Sequence, residues 1–302
     1  MDSSRAESSR ALAGLGLMLA ATTAFAGMGV CFRLAIQDGL PLPLLPFARG
    51  AFTLLILAPW LLRQGPSALA TRRPWGHALR CAAGIASFML YLVAIAWMRL
   101  ADAVAIMQAK PLWALPLAVL LLGEQLRRER VLAALLGFLG VLVIARPDGA
   151  MSETALLGVL AAVASGITGA LVMIAMKRMA ATEPPPRVVA WYGISSVLVW
   201  GPVSALVWDS PSPIALLGLF GGSALAVAGD LLLQAASRRA EIGLLAPVDY
   251  AGIPITALFA LLLFHEQPGW SLALGTALML AATLWLAQGA RRGARRGARP
   301  RG

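Results

Sequence analysis

Residues 101–125, ADAVAIMQAKPLWALPLAVLLLGEQ, carry a cation, Lys110, inside an apolar run that is long enough to cross a bilayer core of roughly 30 Å. A charge at that depth costs about 2.5–3.5 kcal/mol on insertion scales, and it is usually tolerated where it faces a protein interior or a wet cavity. Pro111 and Pro116 follow, and proline removes a backbone donor, so carbonyl groups of the preceding turn are expected to be free. The pattern favours a helix that lines a solute pathway. A lysine paired structurally with a carboxylate on another helix is the alternative.

The composition excludes a soluble globular domain. The 302 residues are 59% hydrophobic and 13% charged, whereas soluble domains average about 45–50% and 25%. The net charge of +11 does not indicate a nucleic-acid partner, because the arginines fall in short loops and the C-terminal tail rather than on a folded polar surface. Cys31 and Cys81 are isolated, so neither a disulfide framework nor a metal site is expected, and no cofactor is implied.

Hydropathy predicts ten membrane-spanning helices. The first contains Ala24-Phe25-Ala26, which resembles a signal-peptidase site, but its counterpart in the middle of the chain argues against cleavage. Residues 1–10 are polar and expected to be disordered. The apolar runs are 11–36, 44–62, 77–98, 101–122, 131–145, 154–176, 188–207, 213–236, 242–264 and 270–288.

The distribution of basic residues predicts that both termini lie in the cytoplasm of a plasma (inner) membrane protein. This orientation leaves only Arg33, Arg49, Arg99 and Arg146 outside. All other basic residues except Lys110 then lie on the cytoplasmic side, including Arg80. Residues 289–302 form a basic cytoplasmic tail. The tail is interpreted as a topology anchor, with binding to anionic membrane lipids as the alternative.

A fixed shift of 142 residues relates the two halves of the chain. It divides the chain into five-helix units at 11–146 and 154–288, joined by a linker at 147–153. Because five is odd, the second unit enters the membrane from the opposite side, so we predict an all-α integral membrane protein of ten helices in two inverted five-helix repeats. The matched residues are Gly16 and Gly158, Gly27 and Gly169, Pro43 and Pro185, Ala48 and Ala190, Gly76 and Gly218, and Glu124-Gln125 and Glu266-Gln267.

The fourth and ninth helices end in similar signatures, LAVLLLGEQL at 117–126 and FALLLFHEQP at 259–268. With the duplicated five-helix unit, these motifs resemble the EamA-type branch of the drug/metabolite transporter superfamily over residues 14–288. The resemblance implies a carrier of small organic metabolites with a central cavity lined by both halves. Its substrates range over amino-acid-like, nucleoside-like, cofactor-like and drug-like compounds. His265 stands where the first half has Gly123, so the two signature turns need not behave alike.

Two carboxylates are expected near the membrane middle, at a depth comparable with that of Lys110. They are Asp230, which shares a helix face with Gln234, and Asp249. We expect Lys110 to pair with one of them. Such a pair either exchanges its partners for a charged substrate, releases a proton in step with transport, or forms a permanent salt bridge that locks the bundle.

Aromatic and soft side chains near these charges are candidates for holding a flat or apolar part of a substrate, although each one also suits simple packing. Gln108 points to a different side of its helix from Lys110. The complete predicted substrate site comprises Lys110, Asp230, Asp249, Gln234, Tyr250, Tyr91, Met107, Trp113 and Tyr192.

The remaining charges are expected to be structural. Carboxylates at span ends are assigned to interfacial positions or helix capping, and the two arginines near outer ends to snorkelling or an outer vestibule. Small residues at four-residue spacing predict close helix contacts. The interfacial carboxylates are Glu124 and Glu266, the capping carboxylates are Asp102 and Glu241, and the two arginines are Arg33 and Arg49. The small residues form two series, Ala161, Ser165 and Gly169, and Gly218 and Gly222.

The sequence therefore predicts a secondary active transporter that works by alternating access on a small-molecule substrate. A proton is a better candidate than sodium for any coupled ion, because nothing resembles a sodium site. A passive channel is the alternative, and a membrane-embedded enzyme is a more distant one, because the only histidines, His77 and His265, lie near span ends without a nucleophile or metal pattern. We expect no catalytic residues.

Overall fold

The computed structural model describes residues 2–110, 112–114, 116–117, 128–145, 153–179, 182–237, 239 and 248–297, and within these ranges every regular element is a helix. A short 3-10 helix, Gly65–Ala68, follows α2. The described α-helices, in chain order, are α1 Asp2–Gln37, α2 Leu44–Gln64, α3 Pro74–Trp97, α4 Leu100–Met107, α5 Arg128–Ala145, α6 Glu153–Met179, α7 Pro185–Leu206, α8 Pro213–Ser237, α9 Gly252–Phe264 and α10 Trp270–Gly297.

Six of the described helices contain segments that are long and apolar enough to cross a membrane. They lie in α1, α2, α3, α6, α7 and α8, and shorter apolar segments lie in α5, α9 and α10. Large apolar side chains remain exposed on the outer faces of these helices, including Leu55 at 68%, Leu198 at 69% and Leu217 at 73%. Apolar exposure on this scale is unfavourable in water and natural in lipid, so the chain is an integral membrane protein.

The fourth span is interrupted, whereas the sequence predicts one continuous helix over 101–122. Helix α4 ends at Met107, the chain turns at Gln108 and Ala109, and a second helical stretch begins at Lys110. Pro111 explains the interruption, because proline disfavours helical geometry in the residue before it and donates no hydrogen bond. The chain makes a second turn at residues 250–251, just before α9, and this turn lies 142 residues after the first.

The packing of the helices follows the repeat. If α1–α5 correspond to α6–α10, then the strongest contacts, α1 with α8 and α3 with α6, are exchanged by the 142-residue shift. The same holds for α1 with α9 and α4 with α6, and for α2 with α8 and α3 with α7. Corresponding helices also contact each other directly, as α2 with α7, α4 with α9 and α5 with α10.

The corresponding helices α2 and α7 run antiparallel to each other. Near the start of α2, Pro46 O accepts a hydrogen bond from Ser196 Oγ at 2.9 Å. Just past the end of α2, Ala68 O accepts one from Arg187 Nε, at the start of α7, at 2.8 Å. The start of one helix therefore lies beside the later part of the other, which is the relation that an odd number of helices per repeat requires.

Matched glycines of the repeat occupy matched contacts. A Cβ at Gly76 would lie 3.1 Å from Met179 Sδ on α6, and one at Gly218 would lie 2.5 Å from Cys31 O on α1. At Gly218 the backbones approach too closely for a side chain, whereas the neighbour of Gly76 is the flexible Met179 side chain. The predicted close packing around Gly218 is confirmed. In the other predicted series, Ser165 donates a hydrogen bond across the α3–α6 contact to Ser87 O at 2.8 Å.

The N-terminal tail differs from the prediction. Residues 2–10, expected to be disordered, continue α1 without a break, since no glycine or proline interrupts them, and α10 extends to Gly297 into the basic tail. Cys31 and Cys81 are free thiols. Predictions for Pro111, Glu124, Glu241 and most of the linker fall outside the described residues.

Candidate functional site

The two turns that interrupt the fourth span and precede α9 contact each other. Gln108 Nε2 donates a hydrogen bond to Asp249 O at 3.3 Å, and the Tyr250 hydroxyl donates to Gln108 O at 3.4 Å. The backbone at these turns has left regular helical pairing, so its carbonyl groups accept hydrogen bonds from side chains of the other half. Tyr250 thus donates to a carbonyl of the turn that precedes Pro111 in the sequence.

Lys110 follows the first turn and lies against α6. A Cβ at Gly169 would lie 3.1 Å from both Cδ and Cε of Lys110, so the lysine stem crosses the helix where glycine leaves room. Lys110 interacts electrostatically with Asp249 most strongly among carboxylates, and also with Asp230 and Arg49. Lys110, Asp249, Asp230 and Arg49 therefore interact electrostatically where the two halves meet.

Asp230 is paired with Arg49 and not with Lys110. Arg49 Nη2 lies 3.1 Å from Asp230 Oδ2, which joins α2 of the first half to α8 of the second. The Arg49 guanidinium also lies 4.5 Å from the Phe88 ring centre and 5.7 Å from that of Tyr192. The expectation that Arg49 snorkels or serves an outer vestibule is therefore wrong, because its side chain turns into the bundle.

Arg80 is a further cation inside the bundle that sequence reasoning missed. The distribution of basic residues assigns it to the cytoplasmic side, but its guanidinium lies 4.4 Å from the Tyr192 ring centre. Its position within the apolar run 77–98 was the available signal. A charge inside a predicted span faces the protein interior more often than a charge in a loop does.

The other predicted site residues divide into two groups. Tyr91 and Tyr192 are buried among the charged groups, and Tyr91 packs 6.0 Å from the Phe88 ring centre. Trp113 packs instead against the Phe138 ring at 5.8 Å and against Gly166. Met107 packs against the hydrophobic core, and Gln234 lies half-buried one turn after Asp230. Neither residue, nor Trp113, makes an ionic contact with the charged groups in the part of the chain that the structure describes.

At one end of the bundle, which carries residues 98–99 and 265–269, the halves are joined by an ion pair. Arg33 Nη2 lies 2.6 Å from Glu266 Oε1, and the Leu100 amide donates to Glu266 Oε2 at 3.0 Å. The structural assignment of Glu266 agrees with these contacts, whereas Arg33 does not snorkel. Asp102 lies in the first turn of α4 and forms an ion pair with Arg99 at 2.6 Å.

At the opposite end, which carries residues 65–73 and 182–184, the halves meet at Glu183. Its buried carboxylate accepts hydrogen bonds from Thr71 at 2.7 Å and Arg187 at 3.0 Å, and His77 Nε2 lies 3.6 Å away. Burial alone would raise the pKa of the Glu183 carboxyl, but these neighbours outweigh burial and hold that pKa below its usual value. An open cavity of about 430 Å³ adjoins the cluster.

Comparison with known proteins gives one family and several named relatives. The EamA-like transporter family matches residues 12–146 and again residues 156–288. A riboflavin transporter of Rhizobium johnstonii is 28% identical over 95% of this chain and 94% of its own length. An S-adenosylmethionine uptake transporter of Rickettsia prowazekii is 29% identical over 82% of this chain and 83% of its own length.

The fold also has a solved counterpart. A crystal structure 22% identical in sequence, covering 94% of this chain and 98% of its own, superposes with a TM-score of 0.63. At that identity the likeness concerns the fold alone. The two family matches coincide with the two halves that the 142-residue shift defines.

Proposed function

The chain belongs to the EamA-like transporter family, and on that premise we propose that it is a secondary active carrier of a small organic metabolite. The carrier works by alternating access in the inner membrane, with ten helices in two inverted repeats and both termini in the cytoplasm. Named relatives transport small molecules and are not enzymes. No catalytic step is therefore part of the proposal.

One observation carries the proposal, namely the pair of helix interruptions at 108–109 and 250–251. Interrupted helices at corresponding positions of two repeats, with unpaired backbone and charges beside them, are the usual construction of a solute site in secondary transporters. Here the two turns exchange hydrogen bonds, and Lys110 and Asp249 lie next to them. A channel has no need for two such turns in one chain.

The site of the proposal lies where the halves meet. Lys110 and Asp249 supply charges from α4's continuation and from the turn before α9, and Arg49 and Asp230 supply them from α2 and α8. Tyr91, Tyr192 and Tyr250 are buried nearby and offer aromatic surface. The remaining predicted members, Gln234, Met107 and Trp113, belong to the edge of the site.

The substrate class follows from these groups together with the relatives. Riboflavin and S-adenosylmethionine, the named solutes of two relatives, each join a flat heteroaromatic ring to polar groups. Aromatic walls and charges of both signs suit a compound of that kind. Asp249 is the proposed carrier of a coupled proton, because its carboxylate interacts electrostatically with Lys110 inside the bundle.

Counterflow in proteoliposomes tests the carrier directly. Vesicles loaded with unlabelled riboflavin or S-adenosylmethionine are expected to accumulate the labelled compound transiently, with an initial rate that saturates. Saturation and exchange both require a site that faces each side in turn. Flux of these and related ring compounds that is linear in concentration and insensitive to internal solute would indicate a channel and contradict the proposal.

Lys110→Ala tests the site. The variant is expected to insert and fold but to lose the rise in melting temperature that a bound solute gives the native protein, since ligand binding stabilises the folded state. Arg63→Ala, which removes an exposed cation at the end of α2, serves as the control. An unchanged ligand response in Lys110→Ala would assign that lysine to the scaffold.

A further inference from the structure

Arg80 has hydrogen-bonding capacity that the protein leaves unused. Its Nε and Nη1 atoms are buried and donate to no acceptor among the described residues. A buried donor without an acceptor costs about 1–3 kcal/mol, and such groups in native proteins commonly await a water or a ligand. The Tyr192 ring, 4.4 Å from the guanidinium carbon, supports one face of the group without using its N–H donors.

The charges around Arg80 do not balance. Arg80 is attracted by Asp230 and repelled by Arg49, and that single carboxylate is already bound by Arg49 at 3.1 Å. Arg49 also leaves its own Nε buried without an acceptor in the described structure. Among the residues that the structure describes, two guanidinium groups therefore share one carboxylate, which leaves them short of one negative charge. A buried cation without a counter-charge is costly, so an anion supplied by a solute would be strongly favoured.

Gly84 holds the space that this arrangement needs. It lies one turn after Arg80 on α3, and a Cβ there would be 3.1 Å from Arg80 Nη1 and 3.1 Å from Tyr192 Cε2. The absent side chain lets the guanidinium lie against the ring with its planar set of donors fixed. A fixed guanidinium binds carboxylate or phosphate through two parallel hydrogen bonds, which a lysine cannot reproduce.

Aromatic rings complete the surroundings. The Tyr192 ring centre lies 4.4 Å from the Arg80 guanidinium carbon and 5.7 Å from that of Arg49, and the Phe88 ring centre lies 4.5 Å from the Arg49 guanidinium carbon. We propose that Arg80, together with Arg49 and Tyr192, forms an oxyanion subsite through which the carrier selects organic anions, compounds with a carboxylate or phosphate beside a flat ring. This inference rests on the proposed transport function and narrows its substrate class.

Matched solute pairs that differ only in charge test the subsite. Nicotinate with nicotinamide probes a carboxylate, and riboflavin 5′-phosphate with riboflavin probes a phosphate, each by thermal shift of the purified full chain in detergent. The native protein is expected to bind at least one anion more tightly than its neutral partner. Arg80→Gln is expected to weaken the binding of that anion about tenfold or more and to change the binding of the neutral partner little, because only charged hydrogen bonds are lost.

Further variants separate recognition from folding. Arg80→Lys keeps the charge but not the paired hydrogen bonds, and Gly84→Ala crowds the guanidinium, so both are expected to reduce the preference for the anion. Arg63→Gln removes an exposed cation and is expected to leave the preference intact. Monodisperse elution of each variant on size exclusion shows that it is folded.

The outcomes distinguish this inference from the transport proposal. If no anion shifts the melting temperature of the native protein more than its neutral partner, or if folded Arg80→Gln keeps the full preference, the subsite is wrong. Saturable counterflow of a neutral solute in that case leaves the carrier proposal standing. Absence of saturable counterflow with every probe overturns the carrier itself.

Discussion

At the scale of single residues, the ion pair of Arg49 with Asp230 ties the halves together by one charged contact inside the bundle. Both side chains are largely removed from water, with exposed fractions of 15% and 32%. Removing one partner of such a pair leaves the other charge poorly compensated, and that penalty exceeds the net stabilisation by the intact pair. Removing one member of the pair is therefore expected to reduce the stability of the fold more than replacing both members with neutral residues.

Asp230→Asn is expected to lower the free energy of unfolding by about 1–3 kcal/mol, since Arg49 loses its charged acceptor. Asp209→Asn, in an exposed loop, is the control and should change little. Thermal unfolding in detergent measures both. The double variant Arg49→Gln/Asp230→Asn is expected to lose less than the sum of the single losses, because Arg49 is removed together with its partner; strictly additive losses would show that the two groups are not coupled.

Glu183 gives the protein a pH dependence of known sign. Its folded pKa is below the unfolded value of about 4.3, so its stabilising contribution is complete above that value and is lost as the pH falls through the folded pKa. Melting temperature measured between neutral pH and about pH 3 is expected to fall less steeply in Glu183→Gln than in the native protein. The exposed Glu153→Gln is the matched control, and identical acid slopes in all three proteins would contradict the assignment.

At the scale of elements, contacts between helices depend on a few small residues. The contact of α8 with α1 shows this dependence. A Cβ at Gly218 would lie 2.5 Å from Cys31 O, a backbone atom that cannot move aside without moving α1. A Cβ at Gly221 on the same helix would lie 3.5 Å from Cys31 Sγ, which is an ordinary contact. The two glycines thus differ in packing while sharing helix and neighbour.

Gly218→Ala is accordingly expected to destabilise the protein by about 1–3 kcal/mol through forced separation of α1 and α8. Gly221→Ala is expected to be neutral or slightly stabilising, because alanine favours helix over glycine by about 0.8–1 kcal/mol. Melting temperatures of the purified variants check the difference. Equal effects at the two positions would mean that α1 and α8 do not approach as closely as the structure shows.

The interruption of the fourth span shows what local sequence can and cannot predict. Pro111 predicts the free carbonyl, because the effect of proline on the preceding turn is local. It does not predict that Tyr250 donates to that carbonyl, nor that the chain turns again at 250–251. Those facts depend on how the two halves dock, and residues far apart in sequence determine the docking.

At the scale of the whole molecule, the repeat was readable because it leaves a constant shift in the sequence, and every main helix contact then follows from the pairing of two copies. The sequence does not predict which charged residues pair with each other. An arginine near a span end serves equally well as a topology signal and as an interior cation, and only the approach of α2 to α8 and of α3 to α7 decides that Arg49 and Arg80 turn inward.

The same symmetry predicts how the molecule moves. Contacts between the halves exist at both ends of the bundle, so a carrier must break one set while it keeps the other. Asp38 accepts a hydrogen bond from Ser212 at the end that carries residues 265–269, and Thr71 donates to Glu183 at the opposite end. These pairs mark two places where the halves should separate in alternation.

Cysteine pairs at Asp38 and Ser212, or at Thr71 and Glu183, in a background with Cys31 and Cys81 replaced by alanine, allow each end to be fixed with a short cleavable dithiol cross-linker. Either cross-link alone is expected to stop counterflow, because a carrier held shut at one end cannot expose its site there, and reduction is expected to restore it. Single-cysteine variants treated in the same way control for modification. Full counterflow with the halves cross-linked at either end would mean that solute crosses without that end opening, and the two-sided mechanism would fail.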